Sequence, residues 1–251
     1  MKKIGIQFFS NRGCALGKMW EKMEFLIVAI IIVISIIILK YIFNYNKKEL
    51  EHIADDKELD ELAKKYPDNI EIAKDYLKML KNENVIVEEN KEAESSLYIA
   101  VTNKISIANV RNSYTRIQTI AHECLHSIQD RKLLMFNFIF SNIYLVYFIV
   151  ICILAILKWL PYKMLFLSIL LIAAMIYNLV RIFLENDAMI KARYLAKEYM
   201  EQKKISSKEE IDKLVAGFDK INNVGIKCTN YYFFLMIMVP VLIFTIICIF
   251  R

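Results

Sequence analysis

Phe25-Leu26-Ile27-Val28-Ala29-Ile30-Ile31-Ile32-Val33-Ile34-Ser35-Ile36-Ile37-Ile38-Leu39 is an apolar run with no polar face. A helix that is apolar all round has nothing to offer water and must lie in a bilayer or deep inside a large core. A chain of 251 residues cannot wrap several such helices in soluble structure, and runs of this kind recur along it. A bilayer core of about 30 Å takes about 20 residues of helix. Four stretches qualify: 25–43, 133–157, 164–183 and 231–249. Composition agrees, at 57% hydrophobic residues and a mean hydropathy of +0.37. The expectation is a multi-pass membrane protein, mainly α, with four transmembrane helices. Lys40 can snorkel from the end of the first span, and Pro240 in the last is tolerable where other groups take over its helix partners.

The net charge of +6 does not mark a nucleic-acid binder. Basic and acidic residues nearly balance in the segments between the spans, and the excess sits at the span edges, at residues such as Lys40, Lys158, Lys163, Arg181 and Arg251. That is membrane anchoring and topology. The bilayer is thus one expected partner and nucleic acid is not. Five cysteines have no paired spacing, and two lie within spans, so no disulfide framework is implied.

Between the first two spans lies Ala121-His122-Glu123-Cys124-Leu125-His126, where spacing and residue type together specify a chemistry. Residues four apart share a helix face, so both imidazoles can meet one zinc ion while Glu123 reaches a water beside it. Zinc lowers the pKa of a bound water from about 16 to about 7, within reach of a carboxylate base. Two of the chain's three histidines fall here. The third, His52, sits in a charged helix and reads as solvated. Ile117, Ala121, Cys124, Leu125 and Ile128 are expected to form the buried stripe, with Arg116, Gln118 and Gln129 off it.

Around this motif the sequence predicts a small α+β domain at the membrane surface, built from residues 44–132 and 184–230. Residues 1–24 form a basic N-terminal segment without a small-residue cleavage site, so it is not read as a signal peptide. The codons for Trp20-Glu21-Lys22 make a purine-rich run, a candidate ribosome-binding site for a start at Met23. Helices are expected over 47–65, 68–82 and from 112 or 113 to Asp130, with Asp68 and Glu71 capping the second. Val85-Ile86-Val87, 97–101 and 104–109 read as strands, the last two joined in a hairpin at Thr102-Asn103, with Leu97, Ile99, Val101, Ile105 and Ile107 facing the core. A free strand edge beside the motif would suit an extended substrate. Ser207 and Glu210 form a capping box for a further helix, with Gly225 as its stop.

A catalytic zinc takes a third protein ligand and leaves a fourth position open. Glu185 is the expected ligand, opening a helix just after the third span; its competing reading is an interfacial cap. Asp187 or Asn186 is placed to orient an imidazole from behind. Lys191, Arg193 and Tyr194 are near enough in sequence to stabilise an oxyanion, but nothing singles one out.

The chain resembles the YugP-type neutral zinc metallopeptidases of bacterial membranes, which have an N-terminal span, a helix, strands, Ala-His-Glu-x-x-His-x-Ile-Gln, two spans, Glu-x-(Asp/Asn)-Ala-x-x-x-Ala and a last span. The corresponding residues are Ala121, His122, Glu123, His126, Ile128, Gln129, then Glu185, Asp187, Ala188 and Ala192. The resemblance covers most of the chain from Met23 onward. It implies a zincin-like domain of gluzincin type, with His122, His126 and Glu185 as zinc ligands and Glu123 as general base. Leu125 stands where the family usually has glycine. Intramembrane zinc proteases bury their motif within a span, whereas Arg116, Gln118, Asp130 and Arg131 are expected to hold this one at the water interface. Prenyl-protein-processing peptidases carry an aspartate where this chain has Met189.

The expected function is zinc-dependent hydrolysis of a peptide or protein substrate near the membrane. The alternative is a catalytically silent membrane metal-binding or scaffold protein of the same fold. Basic residues before position 23 favour an external site; those flanking the later spans favour the cytoplasm, which is the expectation for a start at Met23.

Overall fold

The computed structural model describes residues 2–90, 92–93, 95–108, 110 and 113–251, with side chains at 2–16, 18 and 47 excepted. Asn109 and Asn112, expected at a strand end and a helix start, lie outside the described residues, as do the side chains of Lys2, Lys3, Arg12, Cys14, Lys18 and Lys47. The chain is mainly helical and divides into two compact units, one of 1–42, 140–178 and 232–251 and one of 43–139 and 179–231.

Among the described residues, four helices are long and apolar enough to cross a membrane: α1 (Lys2–Ile42), α6 (Arg131–Ile156), α7 (Lys163–Lys203) and α8 (Lys208–Phe250). Their apolar runs form the first unit, whose interior holds Phe25, Ile151, Leu167, Leu170, Val241 and Phe244. Ile27, Ile30, Ile31, Ile34, Val146 and Leu179 stay exposed, as helices in contact with lipid require. Beside Pro240, which cannot donate to the helix ladder, the Tyr144 hydroxyl donates to the Ile237 carbonyl at 2.9 Å.

The second unit contains α2 (Lys47–Ala54), α3 (Lys57–Lys64), α4 (Asn69–Met79), β1 (Ile86–Asn90), β2 (Leu97–Ile99), β3 (Lys104–Ala108) and α5 (Arg116–His126). The sheet order is β1-β3-β2, with β1 parallel and β2 antiparallel to β3. Buried Ile105 and Ile107 of β3 meet Ile117, Ile120 and Cys124 of α5 and Ile72, Tyr76 and Leu77 of α4 in one core. The Tyr76 hydroxyl donates to the Ile117 carbonyl at 3.1 Å, tying α4 to α5.

Several expectations are corrected. The helix predicted over 47–65 is two, because Asp56 leaves the helix to cap α3, accepting from the Leu59 amide at 3.1 Å. Asp68 caps α4 through the Glu71 amide as expected, but α4 ends at Met79 rather than Asn82. The motif helix is shorter than 112–130, spanning Arg116–His126. The first strand is displaced to Ile86–Asn90 and the second cut to Leu97–Ile99, with residues 100–103 turning between β2 and β3 and Asn103 at φ 50°. Leu97 and Val101 are exposed, and Tyr98 packs on the core instead. Cross-strand partners share a face, and Tyr98 lies opposite Ile105, so Leu97 and Ile99 cannot share the face of Ile105. Glu185 does not open a helix: α7 continues without a break from 163 to 203. Nor does Gly225 stop one, since α8 runs through it; the Ser207 and Glu210 capping box does open α8.

Arg116 and Gln118 are buried rather than at a water interface, and Ile128, placed in the buried stripe, is exposed. The Arg116 guanidinium donates to the carbonyls of Ala63, Tyr66 and Pro67 at 2.9, 2.8 and 2.8 Å and to Asn69 Oδ1 at 3.0 Å. It adds a donor to carbonyls at and just beyond the end of α3, and so anchors the start of α5.

Candidate metal centre

Helix α5 carries His122 and His126 one turn apart, and α7 brings Glu185 to them from the far end of the sequence. The imidazoles stand edge to face, with centroids 4.5 Å apart and planes at 86°. Their Nε2 atoms are 3.0 Å apart, and Glu185 Oε2 lies 3.4 Å from that of His122 and 3.5 Å from that of His126. Zinc bonds of about 2.0–2.2 Å in tetrahedral geometry put ligand atoms about 3.3 Å apart. The triangle of two imidazole nitrogens and a carboxylate oxygen therefore fits one face of such a tetrahedron. Among the described residues, His122, His126 and Glu185 form a group able to hold a metal ion. Because Glu185 lies mid-helix, the helix-cap reading of it has no basis.

The tautomer of His126 follows from its neighbours. Gln129 Nε2 donates to the Leu184 carbonyl at 2.7 Å and to Asp187 Oδ2 at 3.2 Å, which turns its Oε1 toward His126 Nδ1 at 2.8 Å. An amide oxygen can only accept, so Nδ1 carries the proton and the Nε2 lone pair faces Glu185 and His122. Asp187 was expected to orient an imidazole; in the structure it reaches His126 only by way of Gln129. The Asn186 side-chain oxygen is buried without a hydrogen-bond partner among the described residues. Gln129 was visible in the sequence three residues after His126; its amide bridge became legible only with α7 in place.

Electrostatics separate the carboxylates. Glu185 lies beyond the apolar run that ends at Phe183. Burial works against its charge, but the two imidazoles and Arg181 overcome this and hold its carboxyl well below the usual range. Glu123, 6% exposed, goes the other way. Burial raises it, Glu185 adds to the rise, and His122, His126 and a hydrogen bond from the Tyr98 amide oppose it. Burial disfavours charge on His126 too, yet the hydrogen bond and charge of Glu185 leave its pKa raised. The Cys124 thiol, pushed up by burial and set against the Ala73 carbonyl at 3.7 Å, stays protonated and is not a competing ligand.

A cavity of about 250 Å³ opens beside His122 and Glu185, bounded by Thr115, Thr119, Met189 and Ile221. The cations near in sequence are committed elsewhere: Lys191 pairs with Asp187 at 2.6 Å, and Arg193 pairs with Asp219 and bonds the Tyr194 hydroxyl. His52 is exposed in α2. Two neighbours of the site were not anticipated: Tyr98, whose amide meets Glu123, and Arg181, whose guanidinium lies 3.1 Å from Glu185 Oε1. The helical spacing of Arg181 and Glu185, four residues apart, was the available signal.

No family model, curated protein or solved structure matches this chain.

Proposed function

We propose that this chain is a membrane zinc metallopeptidase with a gluzincin-like site, hydrolysing peptide bonds of a protein or peptide substrate close to the bilayer. The observation that carries the reading is the convergence of His122 Nε2, His126 Nε2 and Glu185 Oε2 at 3.0–3.5 Å, with buried Glu123 next in sequence to the first ligand. Three donors of this set hold zinc and leave one position open, and a zinc ion bound there would polarise a carbonyl and acidify a water.

The chain's own residues account for the rest. Gln129, backed by Asp187, holds the His126 ring with its Nε2 lone pair inward. Glu123, its pKa raised by burial, is suited to take a proton from the attacking water and return it to the leaving amine. β2 is one of the two edge strands of the sheet and the one whose Tyr98 amide reaches Glu123, so an extended peptide lying along that edge would pass the base. The resemblance to YugP-type peptidases, read from the same residues, implies the same ligands and base and a zincin-like domain. The reading places this domain in the cytoplasm, following the basic residues that flank the later spans.

The test is the metal content of the detergent-purified protein beside Glu185→Ala. About one zinc per chain, lost in the variant, is expected for a tightly bound structural or catalytic site. Zinc unaffected by the substitution, or none in folded wild-type protein, would overturn the reading.

A further inference from the structure

We infer that Arg181 is a positioning residue for the third metal ligand: its guanidinium holds Glu185 Oε1, so that Glu185 coordinates through Oε2 alone and the fourth position stays open. The inference rests on the zinc reading of His122, His126 and Glu185. The two oxygens of Glu185 face different partners. Oε2 lies 3.4 and 3.5 Å from the imidazole nitrogens, whereas Oε1 lies 3.1 Å from Arg181 Nη2. A carboxylate gripping the metal through both oxygens would fill the position that a catalytic site keeps for water or substrate. Occupying Oε1 with an ion pair to Arg181 prevents that; the Glu185 side chain is 16% exposed and that of Arg181 36%, so solvent screens the pair only in part.

Two further observations support the role. Arg181 and Glu185 are one turn apart on the uninterrupted helix α7, so the helix itself sets their distance. And Arg181 interrupts an otherwise apolar sequence, Leu179-Val180-Arg181-Ile182-Phe183-Leu184, where a charge is costly and calls for a partner. Lys191 and Arg193, the nearby cations, are paired with Asp187 and Asp219.

The full chain in detergent is stripped of metal, titrated with zinc against a chelator, and separately loaded with cobalt(II). Arg181→Met is expected to weaken zinc binding 10- to 100-fold. Its cobalt absorption in the visible should also weaken, as the freed Oε1 raises the coordination number above four. Arg181→Lys should recover part of the affinity, since it restores charge without the planar fork. Wild-type affinity with a wild-type cobalt spectrum in Arg181→Met overturns the inference; so does weaker binding with an unchanged spectrum, which would make Arg181 merely structural. If Arg181→Met does not fold, Arg181→Gln carries the same two readouts with the same overturning outcomes. Zinc lost in Glu185→Ala but held normally in Arg181→Met sinks the role of Arg181 alone. Zinc held normally in Glu185→Ala sinks the metal centre and this inference with it.

Discussion

Glu123 lies between the two histidines and Gln129 three residues after the second, and the two fail differently when changed. Glu123→Gln keeps shape and leaves the ligands intact, so zinc content should stay near wild type while hydrolysis falls about 10²- to 10⁴-fold. Retained hydrolysis with retained zinc would remove Glu123 from its role as base. Gln129→Leu frees the His126 ring to turn, and zinc affinity should fall about 10- to 100-fold; chelator competition reads it directly. The paired charges also set a pH signature for the metal-free protein. His126 has a folded pKa above 6.5, so its contribution is full below that value and is lost as pH rises through the raised one. Glu185 has one depressed below 4.5, so its contribution is present above 4.5 and is lost only as pH falls through the depressed value. Glu123, raised above 4.5 by burial, adds a loss that begins as pH rises past 4.5, so thermal unfolding with a chelator present should show stability falling as the pH rises from 4.5 toward neutrality. With zinc present the trend should reverse toward neutral pH, because only neutral imidazoles bind metal. Identical profiles with and without chelator would contradict this.

At the scale of elements, Arg116 holds the end of α3 and the start of α5 together. Arg116→Leu would leave the Ala63, Tyr66 and Pro67 carbonyls without this donor, at a cost of about 3 kcal/mol or more. A lowered unfolding temperature is expected, and an unchanged one would show that water replaces the guanidinium freely. Gly217 of α8 leaves room for Leu59 and the Tyr114 ring, which an added Cβ would meet at 2.6 and 3.0 Å. Arg116, Tyr98 and Glu185 mark where the sequence ceased to be legible. The four apolar runs and the helical spacing of His122 and His126 are local patterns, and hydropathy with a period of 3.6 suffices to see them. Arg116 looked like surface because its acceptors come from a helix end some fifty residues away. Tyr98 took the inward place in β2 because register, not apolarity, decides which face a strand residue occupies. That Glu185 joins His122 and His126 was legible by motif, yet its setting in the middle of α7 was not, since nothing local marks a helix that simply continues past its apolar run.

At the scale of the whole chain, four long apolar helices mean that the protein should stay with the membrane pellet after an alkaline wash and leave it only with detergent. The four described cysteines are buried, so a single cysteine at exposed Lys57, in a Cys14→Ser background, would report the side of the membrane by labelling in intact against broken cells. Protection in intact cells is the expected outcome. The donors of the metal centre lie on α5 and α7, and residues 127–184, with the whole of α6, run between them. Seen through chain statistics, an ion bound there would close a long loop, and because the unfolded chain would have to close that loop at a cost in entropy before holding the ion, the ion would bind the folded chain in strong preference. At free metal 100-fold above the dissociation constant, binding adds about 2.7 kcal/mol to the folded state. Metal supply would then govern how long the protein survives as well as whether it can act.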